Sequence, residues 1–329
     1  MKKISKILGT VLLMGCFVGC GGKDKIESKT LRLPHNLSED HPVHIGLQNF
    51  AKKVEEKTNG EIKVQIFPNA VLGDERTVLE QLQNGVVDMT KVSAAALENF
   101  APVYSVFSLP YVFESEDHYY KVMGSEAIQK MYNSTQEHGF YGLTLYDSGA
   151  RSFYTKNKAI NTPDDLKGLK IRVQNSQMAI EMVQLLGGAP TPMPYGDVYT
   201  AIQQSVIDGA ESNITALTTG RHGEVAKVFS YNEHTRVPDF LIISTKTWDG
   251  LSSEQQKAVK EAANESTQEY RNLWNDALKS AEKEAVEKLG VKLVYPDQKP
   301  FREKVAPMIE NAKKDPVKSE LITAIENIK

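Results

Sequence analysis

At 329 residues the chain is too long for one ordinary core and too short for three, so two lobes are expected. Hydrophobic residues make up 40 % and charged residues 25 %, the balance of a folded soluble protein and not of a disordered or membrane-embedded one. A net charge of −3 argues against generic nucleic-acid binding.

The first residues, MKKISK followed by ILGTVLLMG, have the basic start and short apolar run of a secretory signal, too short to span a bilayer. Both cysteines sit just beyond that run, so disulfides and cysteine-ligated metals are excluded from the fold that follows. Each ends a stretch resembling a lipobox, Leu13-Met14-Gly15-Cys16 or Phe17-Val18-Gly19-Cys20. Leu13 favours Cys16, whereas the hydrophilic CGGKDK favours Cys20 as the lipid-bearing residue of a flexible tether. A signal over 1–19 and a tether over 20–29 are therefore expected. Its removal takes Lys2, Lys3 and Lys6 from 39 basic residues, leaving 36 against 42 acidic ones, a net charge of −6. An anion site in such a chain needs positive charge that is local and placed.

In chain order, TLRLP (30–34) reads as a strand. Val43, Leu47, Phe50 and Val54 recur at helical spacing from Pro42 to Thr58, and Asn59-Gly60 ends that helix. EIKVQIFP then alternates as a half-buried strand, completing a β-α-β unit with parallel pairing. A helix over Glu75 to Asn84 leads into the short apolar stretch VVDM. Further on, Thr162-Pro163-Asp164-Asp165 is a capped helical turn, released by Gly168 into GLKIRVQNS. There Leu169, Ile171 and Val173 alternate with Lys170, Arg172 and Gln174, which places Arg172 on a polar strand face. Helices are expected over about 178–186 and 197–206. From the Ser252-x-x-Gln255 capping box to Gly290 nothing interrupts one helix of well over thirty residues, read as an amphipathic brace across both lobes.

Neither a Walker glycine loop, nor a G-x-G-x-x-G turn, nor a G-x-S-x-G elbow occurs. His35, His41 and His44 suggest a metal, but Pro42 inside the pair points to a helix entry, and no metal is expected. Paired acids such as Asp164-Asp165 are explained by capping. What remains are two arginines, Arg151 and Arg172, at strand ends, where open α/β layers bind ligands. A guanidinium offers a planar fork to a carboxylate; surface ion pairing is the other reading of these two residues.

The stretches HNLSEDHP, FPNAVLGDERTVLEQLQNGVVDM, FSLPYVF, GARSFYTKNKAINTPDDLKGLKIRVQ, PTPMPYGDVYTAIQQSVIDGAESN and RHGEVAKVFSYNEHTRVP, in this order and spacing, resemble the DctP-type extracytoplasmic solute-binding proteins of TRAP transporters. The resemblance spans nearly the whole chain after the signal. It implies an α/β, two-lobed periplasmic-binding-protein-like fold (type II-like) with a hinged cleft, here 30–148 plus about 237–276 as one lobe and 149–236 plus about 277–329 as the other. It also implies an organic acid ligand, delivery to the large and small subunits of a sodium-coupled permease, no cofactor and no catalytic residues. Arg172 inherits the arginine that pairs with the ligand carboxylate, and Arg151 a second anion contact. Glu75 resembles a glutamate that accepts sugar hydroxyls. Asn213 stands beside Ser212 in DGAESN, a departure from the frequent DGAENN, which puts a Ser212 contact in doubt. His41, Asn36 and Gln174 are further candidates. LGDER, KIRVQ and PTPMPYGDVY look most like the branch binding uronates and aldonates, with four-carbon dicarboxylates as the alternative ligand class and a surface-anchored enzyme or sensor as the alternative kind of protein.

Overall fold

The computed structural model describes residues 28–329; the signal and both candidate lipid-bearing cysteines lie outside them. The described strands are β1 (Lys29–Pro34), β2 (Ile62–Phe67), β3 (Met89–Ser93), β4 (Phe140–Tyr146), β5 (Arg151–Thr155), β6 (Lys170–Val173), β7 (Ala189–Pro192), β8 (Gly209–Ser212), β9 (Val228–Thr235), β10 (Asp239–Ser244) and β11 (Lys292–Val294). The first lobe holds β1 parallel to β2, with the Pro42–Lys57 helix as the expected crossover, and β10 between antiparallel β3 and β4. The second holds a six-stranded sheet in the order β11-β9-β5-β8-β6-β7. In that sheet β5 runs antiparallel to both its neighbours, and the other pairs are parallel.

The chain passes between the sheets at 147–150 and again at 236–238, and the two passages are tied together. Ser148 Oγ donates to the Val237 carbonyl at 2.6 Å, and Arg236 Nη1 donates to Asp147 Oδ2 at 2.9 Å. Paired, side-by-side crossings of this kind restrict lobe motion to a hinge.

The Ser253–Glu287 helix, 35 residues long, starts at the Ser252/Gln255 capping box expected from the sequence. Lys53 and Lys57 on the Pro42–Lys57 helix bond its Glu261, Glu265 and Glu269, while its buried Ala281 and Ala285 join the core of the second lobe. Buried Tyr270 donates to the Asp147 carbonyl at 2.8 Å, so the brace is fixed at the crossing itself.

Three expectations change. The 197–206 helix is shorter, Val198–Gln203, because Ser205 takes a left-handed conformation just beyond its end. Within the C-terminal part, β11 stays in the second-lobe sheet, but the last helix packs on the first lobe: Leu321, Ile322 and Ile325 of the Pro316–Asn327 helix share a core with Tyr104, Val106 and Phe107, and His118 Nε2 lies 3.0 Å from the Ile325 carbonyl. Arg172 is not on a solvated strand face. Lys170 is exposed, but Ile171, Arg172 and Val173 are all buried, since β6 lies between β7 and β8 and the cleft covers its end.

Candidate functional site

A cleft of about 550 Å³ between the lobes narrows to an inner pocket of about 60 Å³, and Asn36, Glu75, Arg172, Gln174 and Tyr195 line both. Of the sequence-derived candidates, Arg151, Asn213 and His41 also line the inner pocket, so the seven are brought together.

Arg172 is 3 % exposed. Its Nε and Nη2 both donate to the Met193 carbonyl, at 3.0 and 2.9 Å, and the Tyr195 ring lies 6.0 Å from Cζ. Among the described residues no carboxylate lies within ion-pair distance of it. Burial pushes its pKa below the ordinary arginine value, yet a guanidinium stays charged. The result is a buried cation that is oriented by a neutral carbonyl and lacks a counterion.

Arg151 differs. It donates from Nε to Glu211 Oε2 at 2.6 Å and from Nη2 to Glu211 Oε1 at 2.9 Å, in the bidentate geometry expected of a ligand contact but with a resident acid. Burial pushes Glu211 up, but Arg151 and His234 outweigh it and hold its pKa at about 2. The charge of Arg151 is thus matched within the protein.

Across the cleft, Glu75 opens the Glu75–Gln83 helix, where Asp74 caps the chain. Its Oε1 accepts from Ser93 N at 3.1 Å and from Lys91 Nζ at 3.4 Å. Lys91, 2 % exposed, also reaches Asn36 Oδ1 at 3.1 Å and Asp239 Oδ2 at 3.4 Å. His41 caps the Pro42–Lys57 helix through Nδ1, as the His-Pro sequence suggested, and its Nε2 lies 3.4 Å from Thr215 Oγ1. Burial, with Lys91 nearby, lowers its pKa to about 3, so the ring is neutral. Asn213 commits its amide oxygen to Thr215 N and Oγ1, leaving its NH2 group for any ligand contact.

Sequence reasoning missed Lys91, Asp239, Tyr195 and the Glu211–His234 pair. Lys91 carried a signal: it interrupts the apolar-rich stretch MTKVS, every residue of which is buried. It also missed Glu98, a first-lobe residue that accepts from Ser176 Oγ at 2.8 Å and from the backbone N–H groups of Gln177 and Met178, capping the Gln177–Leu185 helix of the other lobe. Beside it Asn99 Nδ2 donates to the Asn175 carbonyl at 2.8 Å. The lobes therefore touch at the rim of the cleft.

Residues 33–315 match the family described as bacterial extracellular solute-binding protein, family 7, the DctP family. This chain belongs to that family. Its relatives include the uncharacterized protein YiiZ of Salmonella typhimurium, 44 % identical over 287 residues, 87 % of this chain and 88 % of that one. Among solved structures, a TRAP periplasmic solute-binding protein from Anaerococcus prevotii with bound α/β-D-glucuronate superposes with a TM-score of 0.89 at 40 % identity, covering 92 % of this chain and 98 % of that one. One from Sulfitobacter with bound β-D-galacturonate gives 0.87 at 37 % identity, covering 91 % and 100 %. The DctP-type fold accounts for the two lobes, the cleft and the long brace. Among the described residues no helix is long and apolar enough to cross a membrane.

Proposed function

We propose that this DctP-type receptor binds a sugar acid of the hexuronate class, pairs its carboxylate with Arg172, and delivers it to a sodium-coupled TRAP permease of one large and one small membrane subunit. The observation that carries the reading is the buried, uncompensated guanidinium of Arg172. An anion is what the site lacks, and Met193 holds the fork in place to receive one. The opposite wall supports a polyhydroxylated ligand, since Glu75, Asp239 and Asn36 supply acceptors and an amide donor for hydroxyls, and Asn213 adds an amide from the Arg172 side. The uronates in the Anaerococcus and Sulfitobacter structures have this chemistry. Arg151 then acts beside the ligand as a buttress paired with Glu211, and the protein performs no reaction on its cargo. Attachment outside the cytoplasmic membrane through a lipid on Cys20, or on Cys16, keeps the receptor near the permease.

The test is a thermal-shift screen of uronates, aldonates, four-carbon dicarboxylates, keto acids and sialic acid, followed by calorimetry. A uronate at about a hundred times its dissociation constant adds roughly 2.7 kcal/mol of stability, a shift of several degrees. Stabilisation by succinate or malate with none by uronates overturns the ligand class, and stabilisation by no acid at all overturns the receptor reading.

A further inference from the structure

The charges of the inner pocket are divided between two ends. One end is Arg172, a cation with no carboxylate within ion-pair distance among the described residues, while Arg151 and Glu211 nearby pair with one another. The other end is Lys91, held between two carboxylates, Glu75 Oε1 at 3.4 Å and Asp239 Oδ2 at 3.4 Å. One cation faces two carboxylates, so acid groups are in excess at that end, although burial and Glu75 push the Asp239 pKa up against the pull of Lys91. Lys91 and Asp239 are 2 % and 7 % exposed, so solvent screens this excess little.

We propose that the Lys91–Glu75–Asp239 cluster sets specificity by charge: it accepts the hydroxyl-bearing end of a monocarboxylate and rejects a second carboxylate there. The inference rests on the sugar-acid reading of the site. An ionised carboxylate only accepts hydrogen bonds. Glu75 and Asp239 therefore welcome a ligand hydroxyl, which donates, and a ligand carboxylate offers them nothing to accept. Lys91 does not rescue such a ligand, because its ammonium already serves Asn36 Oδ1 at 3.1 Å and both acids. Glu75 is itself fixed by the Ser93 backbone N–H, so it does not swing away to make room. The pocket thus combines attraction for one acid group with repulsion of another, the pairing of favourable and unfavourable contacts on which discrimination between similar ligands depends.

Calorimetry with D-glucuronate, D-gluconate and D-glucarate tests this. Gluconate and glucarate share an open six-carbon backbone and differ only at one terminus, a CH2OH in the first and a second carboxylate in the second. The wild-type receptor is expected to bind glucuronate and to hold glucarate at least about a hundredfold more weakly. Glu75→Gln and Asp239→Asn, each removing one negative charge with little change of shape, are expected to raise the affinity for glucarate relative to gluconate by about tenfold or more. Glucarate binding to the wild type within threefold of glucuronate overturns the inference, as does an unchanged glucarate-to-gluconate ratio in both variants. Should the wild type bind none of the three, the sugar-acid reading itself falls, and this inference with it. The two failures are distinguishable because only the second abolishes glucuronate binding.

Discussion

Replacing Arg172 by methionine separates binding from folding. In the bound state the ligand carboxylate would lie against a guanidinium that is 3 % exposed. Removing one partner of such a buried pair costs about 2 to 5 kcal/mol, equivalent to a loss of affinity between about thirtyfold and several thousandfold. In the ligand-free protein the balance reverses. The substitution removes two bonds to the Met193 carbonyl, but it also removes a buried cation that has no counterion, and methionine fills much of the space of the arginine stem. Arg172→Met is therefore expected to melt at the same temperature as the wild type or a few degrees higher without ligand, while the glucuronate-induced shift disappears. Calorimetry reports the affinity and scanning fluorimetry the stability. A variant that binds glucuronate within threefold of the wild type refutes the carboxylate pairing, and one that binds weakly only because it melts well below the wild type refutes the account of the uncompensated charge.

Three further outcomes follow from the same structure. His35, His41 and His222 are buried and neutral, held by burial and nearby cations at about 2, 3 and 3 against 6.5 in the unfolded chain; the unfolded state alone gains these protons as pH falls. Each should cost about 1 kcal/mol of stability by pH 5.5, so urea midpoints measured at pH 7.5 and 5.5 should fall steeply, and equal midpoints would contradict the buried neutral state. Glu211, held at about 2 by Arg151 and His234 against the push of burial, stabilises the fold above its unfolded value near 4.5, and that stability is lost as pH falls toward 2. Glu211→Gln should flatten the acid-unfolding profile over that window, and an unaltered profile would show that the pair does not govern it. Glu98→Ala removes the cap that one lobe places on a helix of the other, which should weaken glucuronate binding by roughly tenfold, a cost typical of a lost N-cap bond, with a smaller change in ligand-free stability. Small-angle scattering of the glucuronate complex should then show a larger radius than the wild type, and identical radii and affinities would mean that the contact does not hold the lobes together.

Much of this architecture is legible from local patterns. The β-α-β start, the capping boxes at Thr162 and Ser252 and the uninterrupted brace all follow from spacing and end signals within a few residues. Alternation together with the order of motifs points to Arg172, although alternation alone puts it on a solvated face. A strand buried on both sides by its neighbours and by the cleft shows the same pattern as one facing water. Lys91 and Asp239 were illegible for a different reason. They are separated by nearly half the chain and meet only because β10 returns to lie antiparallel to β3. The match of Arg151 to Glu211 depends likewise on the pairing of β5 with β8, which places Ser152 opposite Ser212 and is not encoded by either segment alone. Assigning 277–329 to one lobe follows sequence order, whereas the apolar face of the Pro316–Asn327 helix packs on residues 102–108.

The anchoring of Arg172 by Met193 bears on the timing of capture. Both residues belong to the second lobe, and so do Tyr195, Arg151 and Glu211, whereas Lys91, Glu75, Asp239 and Asn36 arrive from the first. On the proposed reading, the half of the site that would attract an anion is built within one lobe, with its guanidinium oriented by Met193 of that same lobe. If that reading holds, encounter rate would depend mainly on the Arg172 lobe and residence time on the Lys91–Glu75–Asp239 wall that the other lobe brings to the ligand. Substitutions at Arg172 and its supports should register in the association rate as well as in escape, and those at Lys91 or Asp239 almost wholly in escape.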